Sequence, residues 1–345
     1  MATDSENMLA LEPIVNGILE TIDKEREREI ISRRFGLFDR KETLEQIGEL
    51  LGITRERVRQ LEKAVIAKLK ESGEKGLPLI KETEQRLLSE LEQLGKVARI
   101  GTLTGKVSST NDRISQSRVS FIAHLSPELV VIEDNDNFYH LVGLKNAHSE
   151  DSLRKQITKV AEAVKTIGKP TNIKEVAKAV SDSDIKHVEA LASTSKKLAT
   201  LNGKWGLIKW PTVNPKNIRD KIYVILQVEG KPLHFNEIAK SIKDSEFKRN
   251  NVTTQAIHNE LIKDGRFVLI GRGIYALKEW GYSKGTVADI ISDVLKKAGE
   301  PLHRDEIVKR VLKSRHVKET TILLNLQGKD QFKRVAKATY TLAEG

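Results

Sequence analysis

Four polar side chains within six consecutive positions, Arg55, Glu56, Arg59 and Gln60, carry the most specific chemistry in the chain. An arginine fork matches guanine, a glutamine amide matches adenine and a glutamate accepts from cytosine, so the set suits base edges in a DNA major groove. The competing assignment is a solvated helix face on which Glu56 simply pairs with Arg59 or Gln60. The stretch that must position them, TLEQIGELLGITRERVRQLEKAVIAKLK from Thr43 to Lys70, decides between the two. Thr43, with Gln46 three residues on, predicts a capping box, and Leu44, Ile47, Leu50 and Leu51 recur at helical spacing. Gly52 supplies a turn and Thr54 a second N-cap. Val58, Leu61, Val65 and Leu69 then form a buried stripe, leaving the four polar residues on other sides. A helix, a tight turn and a second helix with base-reading residues at its start make a helix-turn-helix.

Other candidate chemistry is thinner. The pairs His234/Glu237 and His303/Glu306 have ligand-like spacing, but zinc needs three or four converging ligands. Helix-start roles are expected for them, and no metal. There is no GxxxxGK[ST] phosphate loop and no serine elbow, and Gly271-Arg272-Gly273 reads as a hairpin turn because it joins two strands. Trp205, Trp210 and Trp280 have faces that bases stack on, yet their positions at strand ends point to the core. The expectation is a non-enzyme without cofactor.

The motifs RRFGL (Arg33–Leu37), TLEQIG (Thr43–Gly48) and LGITRERVRQLEKAVIAKLK (Leu51–Lys70) closely resemble region 4 of the sigma-70 family of bacterial RNA polymerase sigma factors, over roughly Lys24 to Lys70. The resemblance implies that Arg55, Glu56, Arg59 and Gln60 read a −35 promoter element. It likewise assigns Arg26, Arg34, Thr43 and the backbone of Leu44 to the DNA backbone, and core RNA polymerase as a partner. The loop between Arg34 and Thr43 looks one residue shorter than in the housekeeping factors. A complete sigma factor also has an aromatic-rich region 2 that binds the polymerase clamp and melts the −10 element. Met1–Asp23 contain no aromatic residue, so the expectation is a chain that is not a self-sufficient sigma factor.

The whole chain has 345 residues, a formal net charge of +11, 39% hydrophobic and 31% charged residues, and no cysteine. That balance fits folded helical modules with a polyanionic partner. The missing thiols exclude disulfides, cysteine–zinc sites and a thiol nucleophile. Met1–Asp23 lack a signal peptide's basic start and apolar core, and no apolar run approaches the ~18 residues of a membrane span. A soluble bacterial protein of the cytoplasm, associated with the nucleoid, is expected, without a membrane partner.

Within Met1–Asp23, Ile14, Ile18 and Ile22 predict a short helix packed on the helix-turn-helix, and SGEKGLPL (Ser72–Leu79) marks the first boundary. Beyond it the chain repeats. GKPLHFNEIAKSI (Gly230–Ile242) aligns with GEPLHRDEIVKRV (Gly299–Val311), and weaker copies start at Gly168 and Gly95. Each copy reads as three helices and two short strands, a winged helix. The fold class is therefore mainly α: an N-terminal helix-turn-helix over 1–71, then winged-helix-like modules over 80–146, 151–211, 216–281 and 284–345. The last two resemble the HARE-HTH family, a winged-helix module also found in the delta subunit of bacterial RNA polymerase, through PLH-x-x-EI and a wing ending Tyr-Ala-Leu or Tyr-Thr-Leu. Possible secondary DNA contacts in these copies are Lys248, Arg249, Lys263, Arg266 and Arg272, then Lys329, Lys333, Arg334 and Lys337. The first copy's wing, with Glu133, Asp134 and Asp136, would repel DNA. The function expected is sequence-specific binding of promoter-like double-stranded DNA in bacterial transcription initiation or regulation. The alternatives are DNA targeting or architecture outside transcription, as in genome defence, and a polymerase-binding scaffold; the sequence does not assign an oligomeric state.

Overall fold

A computed structural model of the chain describes residues 8–74, 78–247, 251–282, 285–314 and 317–343. The described residues are mainly helical, with sixteen α-helices and four small antiparallel three-stranded sheets. The chain divides into two compact units, Met1–Lys209 and Trp210–Gly345. Among the described residues no helix is long and apolar enough to cross a membrane, and no three His, Asp or Glu side chains gather to hold a metal ion.

The first unit begins with α1 (Leu11–Glu20), α2 (Glu25–Phe35), α3 (Leu44–Leu51) and α4 (Arg55–Glu74). One copy of the repeat follows as α5 (Pro78–Gln93), β1 (Val97–Arg99), α6 (Ile100–Val107), α7 (Arg113–Leu125), β2 (Leu129–Ile132) and β3 (Leu141–Leu144). The next is α8 (Glu150–Ile167), β4 (Thr171–Asn172), α9 (Ile173–Val180), α10 (Ile185–Thr194), β5 (Leu198–Leu201) and β6 (Lys204–Leu207). The second unit holds α11 (Ile218–Glu229), β7 (Leu233–His234), α12 (Phe235–Lys243), α13 (Thr254–Lys263), β8 (Phe267–Gly271) and β9 (Ile274–Leu277). Its last copy comprises α14 (Val287–Ala298), β10 (Leu302–His303), α15 (Arg304–Ser314), α16 (Glu319–Gly328), β11 (Phe332–Ala336) and β12 (Thr339–Leu342).

All four copies share one topology, with an extra strand that the sequence pattern does not predict. A strand of two or three residues sits between the first and second helices and pairs antiparallel with the last strand, so each sheet runs edge, last, middle. Two residues are too few to show the period-two alternation by which strands are recognised. The repeat glycines behave as their spacing suggests. Gly168, Gly230 and Gly299 end the first helix of their copies in the left-handed conformation. His234 begins α12 as expected, its ring accepting from Asn236 while Glu237 accepts from the His234 amide at 2.8 Å. Trp205 is buried, and Trp280 covers the outer face of the third copy's hairpin against Val268, Ile270 and Ala276.

α1 packs on more than the helix-turn-helix segment expected of it. It packs on α7 and α5 of the first repeat, and Glu12 pairs with Arg118 of α7 at 3.0 Å. One hydrophobic core runs from Leu11, Val15 and Ile18 of α1 through Ile31, Leu37, Val65 and Leu69 to Leu87, Leu103, Phe121 and Leu125. The helix-turn-helix segment and the first repeat thus share their interior. Arg118 also donates to the Leu37 carbonyl at 2.9 Å and lies over the Phe38 ring.

The first and second repeats are joined as closely. The chain beside β3 continues its pairing into the second repeat: the Tyr139 amide donates to Thr194 O at 3.0 Å, the Lys196 amide donates to Asn137 O at 2.9 Å, and Phe138 bridges Ser195. Arg99 donates to the Ser193 carbonyl and stacks its guanidinium on Tyr139, 3.7 Å from the ring centre. His187 of α10 donates through Nδ1 to Gly95 O at 2.8 Å and stacks on His148 at 5.0 Å. The acidic hairpin of the first copy has a structural reason within this packing. Glu133 pairs with Lys41, before α3, at 3.1 Å, and Asp134 pairs with Lys196 of the second copy at 2.7 Å. Such half-exposed pairs are worth roughly 0.2–1 kcal/mol each, so they fix registry more than stability.

Candidate nucleic-acid interface

The turn between α3 and α4 is set by local chemistry. Thr43 Oγ1 accepts from the Gln46 amide at 3.2 Å while Gln46 Oε1 accepts from the Thr43 amide at 2.9 Å, closing the expected capping box. Gly52 ends α3 at φ +64°, and Thr54 Oγ1 accepts from the Arg57 amide at 3.2 Å to start α4. Ile30, Ile47 and Val58 form a small core, backed by Leu44, Leu51, Ile53 and Leu61. Gly48 is the tightest point: a Cβ there would lie 2.7 Å from the Ile53 carbonyl oxygen. The helices approach this closely only because residue 48 has no side chain.

α4 then presents Arg55, Glu56, Arg59 and Gln60 together on its exposed first two turns. Each rests on a neighbour. Arg55 reaches Glu45 of α3 at 2.7 Å, Arg59 forks onto Glu56 at 2.9 and 2.7 Å, and Gln60 accepts from Arg57 at 3.4 Å. The Arg59 fork holds the Glu56 carboxyl below the usual carboxylate range. Arg55 remains 71% and Arg59 55% exposed, so a polyanion exchanges these partners at little cost. The Glu56–Arg59 pair of the competing assignment does form, but it uses a side chain already aimed at solvent. Arg57, overlooked in the sequence pattern, is exposed on the same turns; its position among the candidate base-reading residues was the available signal.

Of the residues expected to contact the DNA backbone, Thr43 and Leu44 form the N-terminus of α3, where unpaired helix amides favour an anion. Arg26 is exposed and donates to the Leu51 carbonyl, closing the end of α3. Arg34 is half-buried, tying α2 to α4 through Glu62 at 3.2 Å. Both thus also hold the helix-turn-helix together.

The secondary cations belong to the other unit. Lys248 and Arg249 lie outside the described residues. Lys263 ends α13 and Arg272 tips the β8–β9 hairpin, both exposed. Arg266 is engaged: Asp264 at 2.7 Å and Asp220 at 3.1 Å grip it, and it stacks over Tyr223. Lys329, Lys333, Arg334 and Lys337 are exposed on and beside β11.

Residues 24–71 match the family model Sigma-70, region 4. Over the same region the chain is 42% identical across 72 residues to RNA polymerase sigma factor sigB of Arabidopsis thaliana, covering 20% of this chain and 13% of that protein. It is 46% identical across 57 residues to RNA polymerase sigma factor SigA1 of Synechococcus elongatus, covering 16% and 14%. With RNA polymerase sigma factor RpoD of Helicobacter pylori it shares 47% over 58 residues, covering 16% and 8%. The matched part is a small fraction of each relative.

Proposed function

We propose that this chain is a sequence-specific DNA-binding protein of bacterial transcription initiation or regulation that reads a −35-like promoter element through α4. The observation that carries the reading is the joint exposure of Arg55, Glu56, Arg59 and Gln60 on the first two turns of α4, in a segment that matches sigma region 4. Core RNA polymerase is its protein partner, the cytoplasm its compartment, and no enzymatic step or cofactor is involved. The four repeats are winged helices, those over 216–281 and 284–345 of the HARE-HTH type. The helix–strand–helix–helix–hairpin order and the three-stranded sheets support that assignment. The first two serve as a mount for α4; the last two extend the contact with DNA.

Replacing Arg55 or Gln60 with alanine is expected to cost roughly 1–3 kcal/mol on the preferred duplex and to relax selectivity at one base position. Equal losses on preferred and scrambled duplexes at one salt concentration would remove base reading by these residues. Deleting Lys216–Gly345 is expected to flatten the dependence of log affinity on log salt by about 0.9 for each phosphate that the shortened chain no longer neutralises. An unchanged slope assigns these repeats to protein contacts instead. With core polymerase alone, the 345-residue chain is expected to leave the −10 region closed. A permanganate-reactive bubble formed by those two components would show the melting function to be present.

A further inference from the structure

We propose that α13 is a second base-reading helix, so that the chain recognises a target of two sequence blocks, one under α4 and one under α13. The inference rests on the DNA-binding reading above and names what the second unit recognises.

The third helices of the four repeats are not equivalent. α7 buries Val119, Ser120, Phe121, Ile122, Ala123 and Leu125, and α10 buries His187, Val188 and Ala190 to Ala192. Both are consumed by packing within the first unit. α16 opens on an exposed Glu319, and its Asn325 amide donates to the Thr321 carbonyl at 2.8 Å. Like α16, which buries only Ile322 and Leu326, α13 buries a single narrow stripe, Ile257 and Leu261, but it turns the amides of Gln255 and Asn259 to solvent together with Thr254, Ile262 and Lys263.

Those side chains suit a groove. Gln255 Nε2 donates to Asn259 Oδ1 at 3.2 Å, which sets two amides one turn apart on one face. An amide of either kind pairs bidentately with adenine N6 and N7, and an apolar side chain meets the thymine methyl. Ile262, 64% exposed, is an aliphatic group of that kind. The acids close to this face are neutralised, Glu260 by Arg219 at 3.4 Å and Asp264 by Arg266. Lys263 and Arg272 are left as free cations, one at the end of the helix and one at the tip of the hairpin. The Phe235 amide donates to Gly273 O at 3.0 Å and so pins that tip to the start of α12. Residues 210–345 hold 25 Lys and Arg against 16 Asp and Glu, so nine of the chain's eleven excess positive charges lie in this unit. A neutral amide face inside a cationic unit fits duplex DNA better than it fits a basic or apolar protein surface.

The test is selection of bound duplexes from a randomised pool by the full chain at one salt concentration. Two enriched blocks are expected. The double variant Gln255→Ala, Asn259→Ala should lose only the second block and bind the selected duplex about 5- to 100-fold more weakly. Arg55→Ala should relax only the first, at one base position. Both altered residues of the double variant are exposed, so folding is preserved and helix content by circular dichroism checks it. Lys263→Ala should weaken all duplexes alike and leave both blocks. A single block, relaxed at one position by Arg55→Ala, together with under twofold loss in the double variant, overturns the inference and leaves the α4 reading standing. A single block lost only with the double variant supports α13 and overturns base reading by α4. Loss of polymerase capture by the double variant with duplex binding unchanged makes α13 a protein-contact helix and overturns the inference.

Discussion

Phe121→Ala is expected to loosen the helix-turn-helix and the first repeat together, by about 3–5 kcal/mol. Phe121 is fully buried on α7, and its ring meets the edge of Phe35 from α2 at 5.0 Å. It sits in the core that runs from α1 to the first sheet. Removing it leaves a cavity bounded by both modules, which neighbours held at close-packed density cannot fill. Segment-resolved hydrogen exchange on the full chain reads the effect, since 1.4 kcal/mol is tenfold in an opening constant. Amides of α2 and α4 should lose protection in parallel with those of α6 and α7, by two to three orders of magnitude. If α6 and α7 open while α2 and α4 keep their protection, the two modules are energetically separate despite the shared core. The functional consequence of one core is stiffness: α4 is presented on a mount that includes the first two repeats.

The helix-turn-helix was legible because its signals are local. Thr43 with Gln46, Gly52 and Thr54 act within four residues of where they stand, and each does what its type and position predict. The repeats were legible for the same reason, through a glycine at the end of each first helix. What the pattern concealed is long-range. Lys41 and Glu133 meet at 3.1 Å across 92 residues, and Arg266 is gripped by Asp220 from 46 residues away; no spacing announces either. α7 shows the difference most clearly. By order it is the third helix of a repeat, the element that elsewhere would face a ligand. Its run from Val119 to Leu125 is nevertheless apolar almost all round, the mark of a helix buried on more than one side. Weighed that way, the run would have pointed to a neighbour against α7. Leu269 misleads in the opposite sense: alternation with Phe267 suggests one buried face, yet Leu269 is 45% exposed while Val268 and Ile270 are buried. The outer face of that hairpin is covered by Trp280 and Tyr282, which follow it in the chain.

Acid should weaken the joint between the first two repeats, and His148 should carry much of the effect. Its ring is 3% exposed and stacks on His187 at 5.0 Å; neither nitrogen makes a well-aligned hydrogen bond, and the nearby Gln156 side chain, which favours the proton, is outweighed by burial. Burial, with the neighbouring His187 adding to it, pushes the His148 pKa from 6.5 down to about 4. The folded protein therefore holds this imidazole neutral, while the unfolded chain takes up a proton as pH falls through about 6.5. Between those two values the unfolded state binds more protons, so stability falls with falling pH. The contribution is complete above pH ~6.5 and is lost progressively toward pH ~4, with a total on the order of 3 kcal/mol from a shift worth 1.36 kcal/mol per pKa unit. His124 and His140 are also lowered by burial, so the wild-type acid limb is a sum and the informative quantity is a difference. His148→Phe keeps a flat ring against His187 and removes the titrating group. Urea midpoints measured from pH 7.5 to pH 4.5 should fall more steeply for the wild type, by up to one proton's worth of slope. Parallel profiles for wild type and variant would mean that this ring finds a partner for its proton in the folded state, and that the joint is not acid-sensitive through His148.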